Sequence, residues 1–356
     1  MRRLTGQDSG FREVAKLAGV SAATVSRVAN RNAHVAQTTQ RRVKEAAQSL
    51  GIDLERKNKA KVLAFLLSNY KGLHPFHARI LDGAEAACAA YGWDLLFLTF
   101  QYRANVPWKD LHLPPPLQRH DMVTGLVLAG SNFPNLLDCL QHRTKPFVVL
   151  GNNLVSDGQQ RQFDAVFSDH IQGAYEMTRY LQSLGHQDIW FVGNTAEPWC
   201  QRCLQGYRRA MSETGLACHE SSVNSDDAKE VGYLGSKLIF GRGENVTAIL
   251  GASDQTACGI YKAIMDLGLR IPHDISVAGS NDTLGPLLSP ALTTVREFPE
   301  QLGKKMVELL LSRIANADTV PRQVTIPTEL VRRDSCRELL SSGSWKEAQT
   351  VGTETT

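Results

Sequence analysis

The sequence lacks the features of an exported, membrane-spanning or disulfide-stabilised protein. No apolar run follows Met1-Arg2-Arg3-Leu4, so we expect no signal peptide, and no apolar stretch approaches the length of a membrane span. The seven cysteines among 356 residues are odd in number and irregularly spaced, which does not match a disulfide framework. Together these absences favour a reducing cytoplasm and no membrane partner.

Motifs of catalysis and cofactor binding are also missing. There is no P-loop, no G-x-G-x-x-G, no H-E-x-x-H and no G-x-S-x-G. One C-x-x-C, from Cys200 to Cys203, has no second Cys or His pair nearby in sequence and is weak evidence for zinc or redox chemistry. Asp254 and Asp282 follow predicted strands, where a carboxylate more often caps a helix or binds a ligand. We therefore expect no catalytic residue, no metal, no cofactor and no enzymatic activity.

Charge is distributed unevenly along the chain. Up to Lys61 there are 13 Lys and Arg against 5 Asp and Glu, whereas the remainder has 26 against 31. A basic head on a mildly acidic body is typical of a polyanion-binding module joined to an independent domain. The alternative is that these basic side chains only solvate a small domain.

The basic segment contains a helix-turn-helix pattern between Phe11 and Asn30. A tight turn at Gly19-Val20 separates two short helices, and Ser21 can cap the second because its hydroxyl can accept from free backbone N–H groups. The pattern places inward the apolar side chains of Val14, Leu17, Ala18, Val20, Val25 and Val28. A third helix is predicted from Thr38 to Leu50, and Gly51 ends it. The second helix of such a motif can lie in the major groove of DNA.

The body of the chain alternates short apolar runs with amphipathic helical patterns. Strands are predicted at residues 62–67, 93–98, 125–128, 147–150, 189–192, 248–250 and 275–278. Helices are predicted at residues 75–90, 136–141, 170–184, 199–214, 227–240 and 254–267. This alternation predicts an α/β fold with parallel sheets flanked by helices, in two successive series that form two similar lobes. Ligands of such sheets bind at the carboxyl ends of the strands, which can face one another across a cleft.

Several segments carry a resemblance to a known family. The strongest is AGVSAATVSRVAN, residues 18–30, and the others are residues 74–96, 180–193, 252–282, 289–295 and 327–336. On these segments the chain resembles the lactose-repressor-like (LacI/GalR) family of bacterial transcription regulators over most of residues 11–335. The resemblance implies a helix-turn-helix head, a hinge and a two-lobed, periplasmic-binding-protein-like core that dimerises.

Composition and resemblance together divide the chain into five parts. We expect a flexible N-terminus (1–10), a helix-turn-helix DNA-binding domain (11–51), a short linker or hinge (52–61), a two-lobed effector-binding and dimerisation domain (62–335) and a flexible tail (336–356). The linker lacks the Tyr-x-Pro-Asn-x-x-Ala-Arg-x-Leu hinge that is usual in the family and that wedges a Leu into the minor groove. Leu54 is the large apolar residue inside the linker that can substitute, but the shortened sequence disfavours a wedge of this type.

The resemblance implies that the exposed start of the second helix reads base pairs. Arg27 is the best direct reader because its guanidinium can bond guanine O6 and N7 together, and its alternative role is an ion pair with Glu13. Ala22 and Ala23 offer only methyl groups, whereas the hydroxyl and amide side chains suit phosphates. For the hydroxyls inside the helix, local bonding to the backbone is the alternative. The candidate DNA-binding residues are Ser21, Ala22, Ala23, Thr24, Ser26, Arg27, Asn30, His34 and Leu54.

Family positions that hold the ligand can be carried over to this chain. The candidates for effector binding are Tyr70, His74, Phe76, His77, Asp169, Trp199, Arg202, Cys203, Asp254, Asn281 and Asp282. Two usual charged anchors are altered, because Cys203 stands where an Arg is expected and Asn281 stands where an Asp is expected. Arg202 would point about 100° around the helix from the usual position.

These changes predict a polar, uncharged effector, such as a sugar, or a cleft that has lost its ligand. Trp199 can supply a flat apolar wall or pack in the core, and His74 and His77 can bind ligand or serve as loop solvation or a helix cap. The favoured function is a homodimeric, ligand-responsive repressor that binds a palindromic operator. The alternatives are a solute-binding protein without DNA function and a sugar or nucleoside hydrolase-like enzyme.

Overall fold

The structure, a computed structural model, describes residues 6–29, 35–50, 61–70, 72–119, 122–155 and 162–339, with the backbone alone for 6–10. The chain divides into two compact units between Lys61 and Val62. The smaller unit is helical, and the larger contains two parallel sheets. No helix within the described ranges is long and apolar enough to cross a lipid bilayer.

The smaller unit is built around a core of valine and alanine. Its helices are α1 (Gly6–Ala18), α2 (Ala22–Ala29) and α3 (Gln37–Ser49). The buried side chains are Val14, Ala15, Ala18, Val25, Val28, Val43, Ala46 and Ala47. Gly19 has a φ of +64°, which lets the chain turn sharply between α1 and α2, and the guanidinium of Arg42 donates to the carbonyl of Ala18 at 2.7 Å. This bond holds α3 against the turn, in addition to the packing of α3 in the core.

Two details of this unit differ from the sequence expectation. Leu17 was predicted to face inward but is 57% exposed, because Val14, Ala15 and Ala18 occupy the inner face of α1. Helix α1 begins at Gly6, so the predicted boundary at residue 10 falls inside it. Residues 6–10, GQDSG, contain no apolar side chain, so the periodicity gave no sign of this extension.

The first sheet of the larger unit is entirely parallel within the described chain. Its strands are β1 (Val62–Ser68), β2 (Asp94–Phe100), β3 (Gly125–Leu128), β4 (Phe147–Leu150), β5 (Asp164–Ser168) and β11 (Gln323–Ile326). They lie in the order β11-β5-β4-β3-β1-β2. The helices of this lobe are α4 (Pro75–Ala90), α5 (Pro115–Gln118), α6 (Pro134–His142) and α11 (Pro299–Ala315). Apolar clusters cover both faces of the sheet.

The second sheet has the same architecture with one antiparallel edge. Its strands are β6 (Ile189–Gly193), β7 (His219–Ser222), β8 (Ala248–Gly251), β9 (Ser276–Asn281), β10 (Thr293–Arg296) and β12 (Glu329–Val331). They lie in the order β12-β10-β9-β8-β6-β7, and β12 runs antiparallel to β10. The helices of this lobe are α7 (His170–Ser183), α8 (Pro198–Glu213), α9 (Ala228–Gly241) and α10 (Asp254–Asp266).

The chain passes between the two sheets at three places. It leaves the first sheet after β5, returns to it after β10, and leaves it again between β11 and β12. The first sheet is therefore completed only by a strand that follows most of the second. The two lobes are interleaved, and not successive as the sequence pattern suggested.

The end of the described chain also differs from the expected boundary. Residues 336–339 were predicted to belong to the flexible tail, but they hydrogen-bond to the second lobe. The backbone N–H of Arg337 donates to the Ser276 hydroxyl at 3.1 Å, and that of Leu339 donates to the Leu184 carbonyl at 2.8 Å. These bonds hold the segment although its side chains show no clear periodicity.

Glycines allow helices α9 and α10 to touch backbone to backbone. A Cβ at Gly232 of α9 would overlap the carbonyl oxygen of Thr256, and one at Gly259 of α10 would overlap that of Lys229. Each of these positions has room for a hydrogen atom but not for a methyl group, so the two glycines determine how closely α9 and α10 approach each other.

We predict that Gly232→Ala lowers the free energy of unfolding by about 1–3 kcal/mol, because the added methyl group must push α9 away from α10. Gly241→Ala is the matched control in the same helix, since its Cβ would meet no atom within 4 Å. It should leave stability unchanged or raise it slightly. Urea denaturation followed by circular dichroism measures both variants, and equal losses would contradict the close contact.

Candidate functional site

Helix α2 presents an outer face of small and basic residues. Ala22, Ala23 and Arg27 are exposed on this face, whereas Val25 and Val28 are buried in the core. Among the described side chains none forms an ion pair with Arg27, so the internal pair with Glu13 is not formed. The guanidinium of Arg27 is therefore available to a partner outside the unit.

The start of α2 is capped as the sequence predicted. The Ser21 hydroxyl accepts from the backbone N–H of Thr24 at 3.1 Å and lies 2.9 Å from the Thr24 hydroxyl. The two hydroxyls thus bond locally, which is the alternative considered for Thr24, and Ser26 is half-buried. The other candidates lie outside the described residues, and they are Asn30, His34 and Leu54.

A cavity of about 500 Å³ lies between the lobes of the larger unit. Its walls are formed by the segments that follow parallel strands of both sheets, from β1 to β10. This is where the carboxyl ends of the two sets of strands face each other, as the predicted topology requires. Seven of the effector candidates line it, and these are Tyr70, His74, Phe76, His77, Trp199, Cys203 and Asn281.

Two of the remaining four candidates lie near the cavity but serve other roles. Asp169 is the N-cap of α7, where its carboxylate accepts from the backbone N–H of Gln172 at 3.2 Å. Arg202 points away from the cavity, and its guanidinium lies over the ring of Phe167 at 5.0 Å. The expected register of α8 is therefore correct, because Cys203 faces the cavity and Arg202 does not.

The last two candidates hold the loop that follows β9. Asp254 is fully buried and accepts from the Thr294 hydroxyl at 2.6 Å and from the backbone N–H of Leu284 at 2.9 Å. Asp282 forms ion pairs with Arg296 at 2.8 Å and with Arg333 at 2.7 Å. Both carboxylates interact with protein groups, so they position Asn281 and do not line the cavity themselves.

The two predicted histidines of the cavity have different roles. His74 caps α4, because its Nδ1 accepts from the backbone N–H of Phe76 at 3.2 Å. His77 Nε2 lies 3.1 Å from the amide nitrogen of Asn153, which can only donate. Burial, with a smaller contribution from His74, lowers the pKa of His77 to about 3. The ring of His77 therefore brings no positive charge to the cavity at neutral pH.

A buried pair that the sequence analysis missed lies at two of the crossings between the lobes. His170 Nε2 is 2.8 Å from Glu297 Oε2, and both residues are buried and line the cavity. His170 follows the first crossing and Glu297 precedes the second. The residues are 127 positions apart, so no spacing in the sequence could have paired them.

The remaining polar lining follows a simple rule that the sequence analysis could have used. Polar side chains stand just after the parallel strands, at the edge where ligands bind, although Ser225 and Asp226 follow β7, a strand that the sequence pattern did not predict. These residues are Asn69, Gln101, Ser131, Asn152, Asn153, Asn194, Glu197, Ser225, Asp226, Ser253, Gln255 and Thr256. The described lining contains three carboxyl groups, including Glu297, and neither Lys nor Arg. Such a surface can bond hydroxyl and amide groups but disfavours an anion.

Comparisons with protein families match both units. A model of bacterial regulatory proteins of the lacI family matches residues 11–52, and a periplasmic-binding-protein-like domain model matches residues 178–336. The chain is 31% identical over 338 residues to the HTH-type transcriptional repressor PurR of Photorhabdus laumondii, covering 91% of this chain and 96% of the relative. The chain belongs to the LacI family. It is a ligand-modulated, DNA-binding transcriptional regulator.

Other LacI-family proteins match along nearly the whole length. The PurR repressor of Vibrio campbellii is 30% identical over 339 residues, covering 92% of this chain and 99% of that protein. The structure of the transcriptional regulator CelR in complex with cellobiose is similar at a TM-score of 0.68 and 26% identity, covering 94% of this chain and 100% of that chain. The lac repressor dimer bound to operator and an anti-inducer shares the fold at a TM-score of 0.67 and 24% identity, over 91% of this chain and 98% of that one.

Asp254 makes the stability of this LacI-family protein depend on pH in a defined direction. Burial raises its pKa from 3.8 to about 6, although its hydrogen bonds oppose the shift. The folded protein therefore keeps a proton that the unfolded chain has already lost, and the free energy of unfolding falls as pH rises between these values. Asp254→Asn should remove this fall, so the stability of the wild type relative to the variant should drop by roughly 3 kcal/mol from about pH 3 to pH 7.

Urea denaturation at a series of pH values measures this difference. Asp274→Asn is the control, because the pKa of Asp274 is lowered by its hydrogen bond with Arg270 and its contribution has the opposite sign. A difference between wild type and Asp254→Asn that stays constant with pH would contradict the buried, protonated carboxyl.

Proposed function

We propose that this protein is a homodimeric repressor whose two heads bind a palindromic operator and whose interlobe cavity binds a small, polar, uncharged effector. The observation that carries the proposal is the cavity itself, because both sheets end there and its described lining combines aromatic side chains with uncharged polar groups and contains neither Lys nor Arg. The exposed, unpaired face of α2 supports the DNA-binding part. A protein that binds an operator acts where the chromosome is, which is the cytoplasm.

For DNA, we assign base reading to the outer face of α2. Arg27 is exposed and makes no ion pair within the described chain, so its guanidinium can bond guanine in the major groove. Ala22 and Ala23 present methyl groups beside it and permit close approach. Ser21 and Thr24 can still contact phosphates, since a hydroxyl that accepts one bond can donate another.

For the effector, we assign recognition to Asn281 and Trp199 on the second lobe and to Tyr70, Phe76 and His77 on the first. Asn281 Oδ1 accepts from the Thr283 hydroxyl at 2.7 Å, so its Nδ2 donor remains for a ligand hydroxyl or carbonyl. The aromatic side chains supply flat apolar walls to a sugar or a base. A sugar-like effector agrees with the cellobiose bound to CelR and with the glucose and ribose named in other structures of the fold.

Control of DNA binding follows from differential affinity. An effector that bonds both walls of the cavity favours one arrangement of the lobes, and the dimer presents its heads to the operator in one arrangement only. The exposed Leu234 and Leu238 lie one turn apart on α9 and provide an apolar stripe for a second copy. We infer that Cys203 is not a nucleophile, because it is buried in the cavity wall and burial raises its pKa well above the ordinary value.

We predict that Arg27→Ala weakens binding to the cognate operator by about 1–3 kcal/mol and relaxes the preference at one base position. Operators selected from a random oligonucleotide library, compared with scrambled DNA at fixed salt, measure both effects. Arg41→Ala removes an equal charge from the exposed face of α3 and is the matched control. It should change binding to both DNAs alike, and the same behaviour in Arg27→Ala would rule out base reading.

We predict that a thermal-shift screen of sugars, polyols and nucleobases finds a ligand that also changes operator affinity in the full-length protein. Trp199→Ala should weaken this ligand at least tenfold by removing one wall of the cavity. Trp108→Ala removes a tryptophan that stacks on His142 outside the cavity, so it should leave the affinity unchanged. A ligand that binds both variants equally well lies elsewhere, and one that leaves operator affinity unchanged is not an effector.

A further inference from the structure

A second concave surface lies on the other side of α8 from the effector cavity. This outer groove has a volume of about 680 Å³ and is formed by the segment after β4 on the first lobe and by α8 on the second. Leu154 and Val155 lie on its first wall, and Gln201, Arg202 and Gln205 lie on its second. The groove thus touches both lobes, as the effector cavity does, and Asn152 lines both, but the other described residues of the groove do not line the cavity.

Arg202 is the unusual residue of the outer groove. It is half-buried, yet within the described chain it forms neither a hydrogen bond nor an ion pair. Its Nε is fully buried and has no partner. Burial lowers the pKa of Arg202 and the charge of Asp169 opposes this effect, but the two residues do not form an ion pair. A buried, unpaired guanidinium N–H is costly, so its presence calls for a partner that the described part of the chain does not supply.

The surroundings of Arg202 hold its charge in one place. The ring of Phe167 lies 5.0 Å from the guanidinium carbon, so a cation–π contact fixes one side of the group. Arg208 also lines the groove, but both of its bonds go to Glu220, at 2.7 and 2.8 Å, and the two charges cancel. Among the described residues, the groove therefore carries one positive charge without an ion-pair partner, flanked by the amides of Gln201 and Gln205.

We propose that the outer groove is a second binding site, for a small anion that carries a phosphate or a carboxylate group. The planar guanidinium of Arg202 matches two oxygens of either group, and the glutamines can donate to the others. The site goes beyond the effector cavity, whose described lining disfavours anions. Because the groove is formed by both lobes, an anion bound there bridges them and influences the same equilibrium as the effector.

The test uses the full-length protein and four probes, which are inorganic phosphate, ribose 5-phosphate, citrate and ribose. Calorimetry and thermal shift are measured against sodium chloride of equal ionic strength. At least one of the three anions should bind the wild type with a defined affinity. Inorganic phosphate and ribose 5-phosphate test for a phosphate site, and citrate tests for a carboxylate site. Arg202→Met should weaken that anion at least tenfold, about 1.4 kcal/mol, while the affinity for ribose stays unchanged.

Arg209→Met is the matched control, because Arg209 also lies on α8 and over an aromatic ring, that of Tyr175 at 3.9 Å, but outside the groove. It should bind the anion within twofold of the wild type. Trp199→Ala, which alters the effector cavity, should also retain the anion. If Trp199→Ala loses the anion and Arg202→Met retains it, the anion binds in the effector cavity and the proposal is wrong. That result would leave the proposed control of DNA binding by an effector intact.

Two further outcomes test whether the outer groove binds an anion. If no anion stabilises the wild type beyond sodium chloride, the groove is not an anion site. The melting temperature of Arg202→Met without ligand should equal or exceed that of the wild type, since the variant removes an unpaired, half-buried charge and keeps an apolar stem over Phe167. A lower melting temperature would show that Arg202 has a structural partner and would overturn the proposal.

Discussion

The path of the chain between the lobes determines where the larger unit can bend and where a ligand acts. Because β11 completes the first sheet after most of the second has been traversed, three backbone segments join the lobes at one place. His170 and Glu297 stand on two of these segments, and their buried contact of 2.8 Å joins them beside the cavity. A ligand between the lobes therefore acts on backbone that both sheets share, which is the geometry of a hinge.

Helix α8 places two neighbouring side chains on two different surfaces. Adjacent residues of a helix point about 100° apart, so Cys203 faces the effector cavity while Arg202 faces the outer groove. A neutral thiol thus stands where the family usually has a guanidinium, and the guanidinium stands on another surface. The cavity keeps its carboxyl groups without a described cation, whereas the groove keeps a cation without an ion-pair partner among the described residues. Under the two proposals, uncharged and anionic ligands would bind to different surfaces of one hinge.

The sequence predicts elements well where an apolar pattern is long and has clear ends. Helix α4 (Pro75–Ala90) was predicted at both boundaries, because Pro75 suits the first turn and Gly92 stops the pattern. Strand β7 (His219–Ser222) was missed because its sequence, HESS, is polar, and only pairing with β6 makes it a strand. The positions of the cavity loops could also be predicted from the topology, because ligands of such sheets bind at the carboxyl ends of the strands. The direction of each side chain was not, since Asp254 turns toward Thr294, a contact between residues 40 positions apart.

The buried Asp254 shows how the fold prepares the effector cavity before a ligand arrives. Asn281 and Asp282 have φ values of +88° and +52°, a conformation that side chains other than glycine seldom adopt without support. Asp254 supplies that support by binding the backbone of Leu284, and Arg296 and Arg333 supply it through Asp282. A carboxyl group that is costly to bury thus fixes the loop that presents Asn281. Because the loop is already ordered, a ligand that bonds Asn281 does not have to order it on binding, and its affinity depends on the contacts themselves.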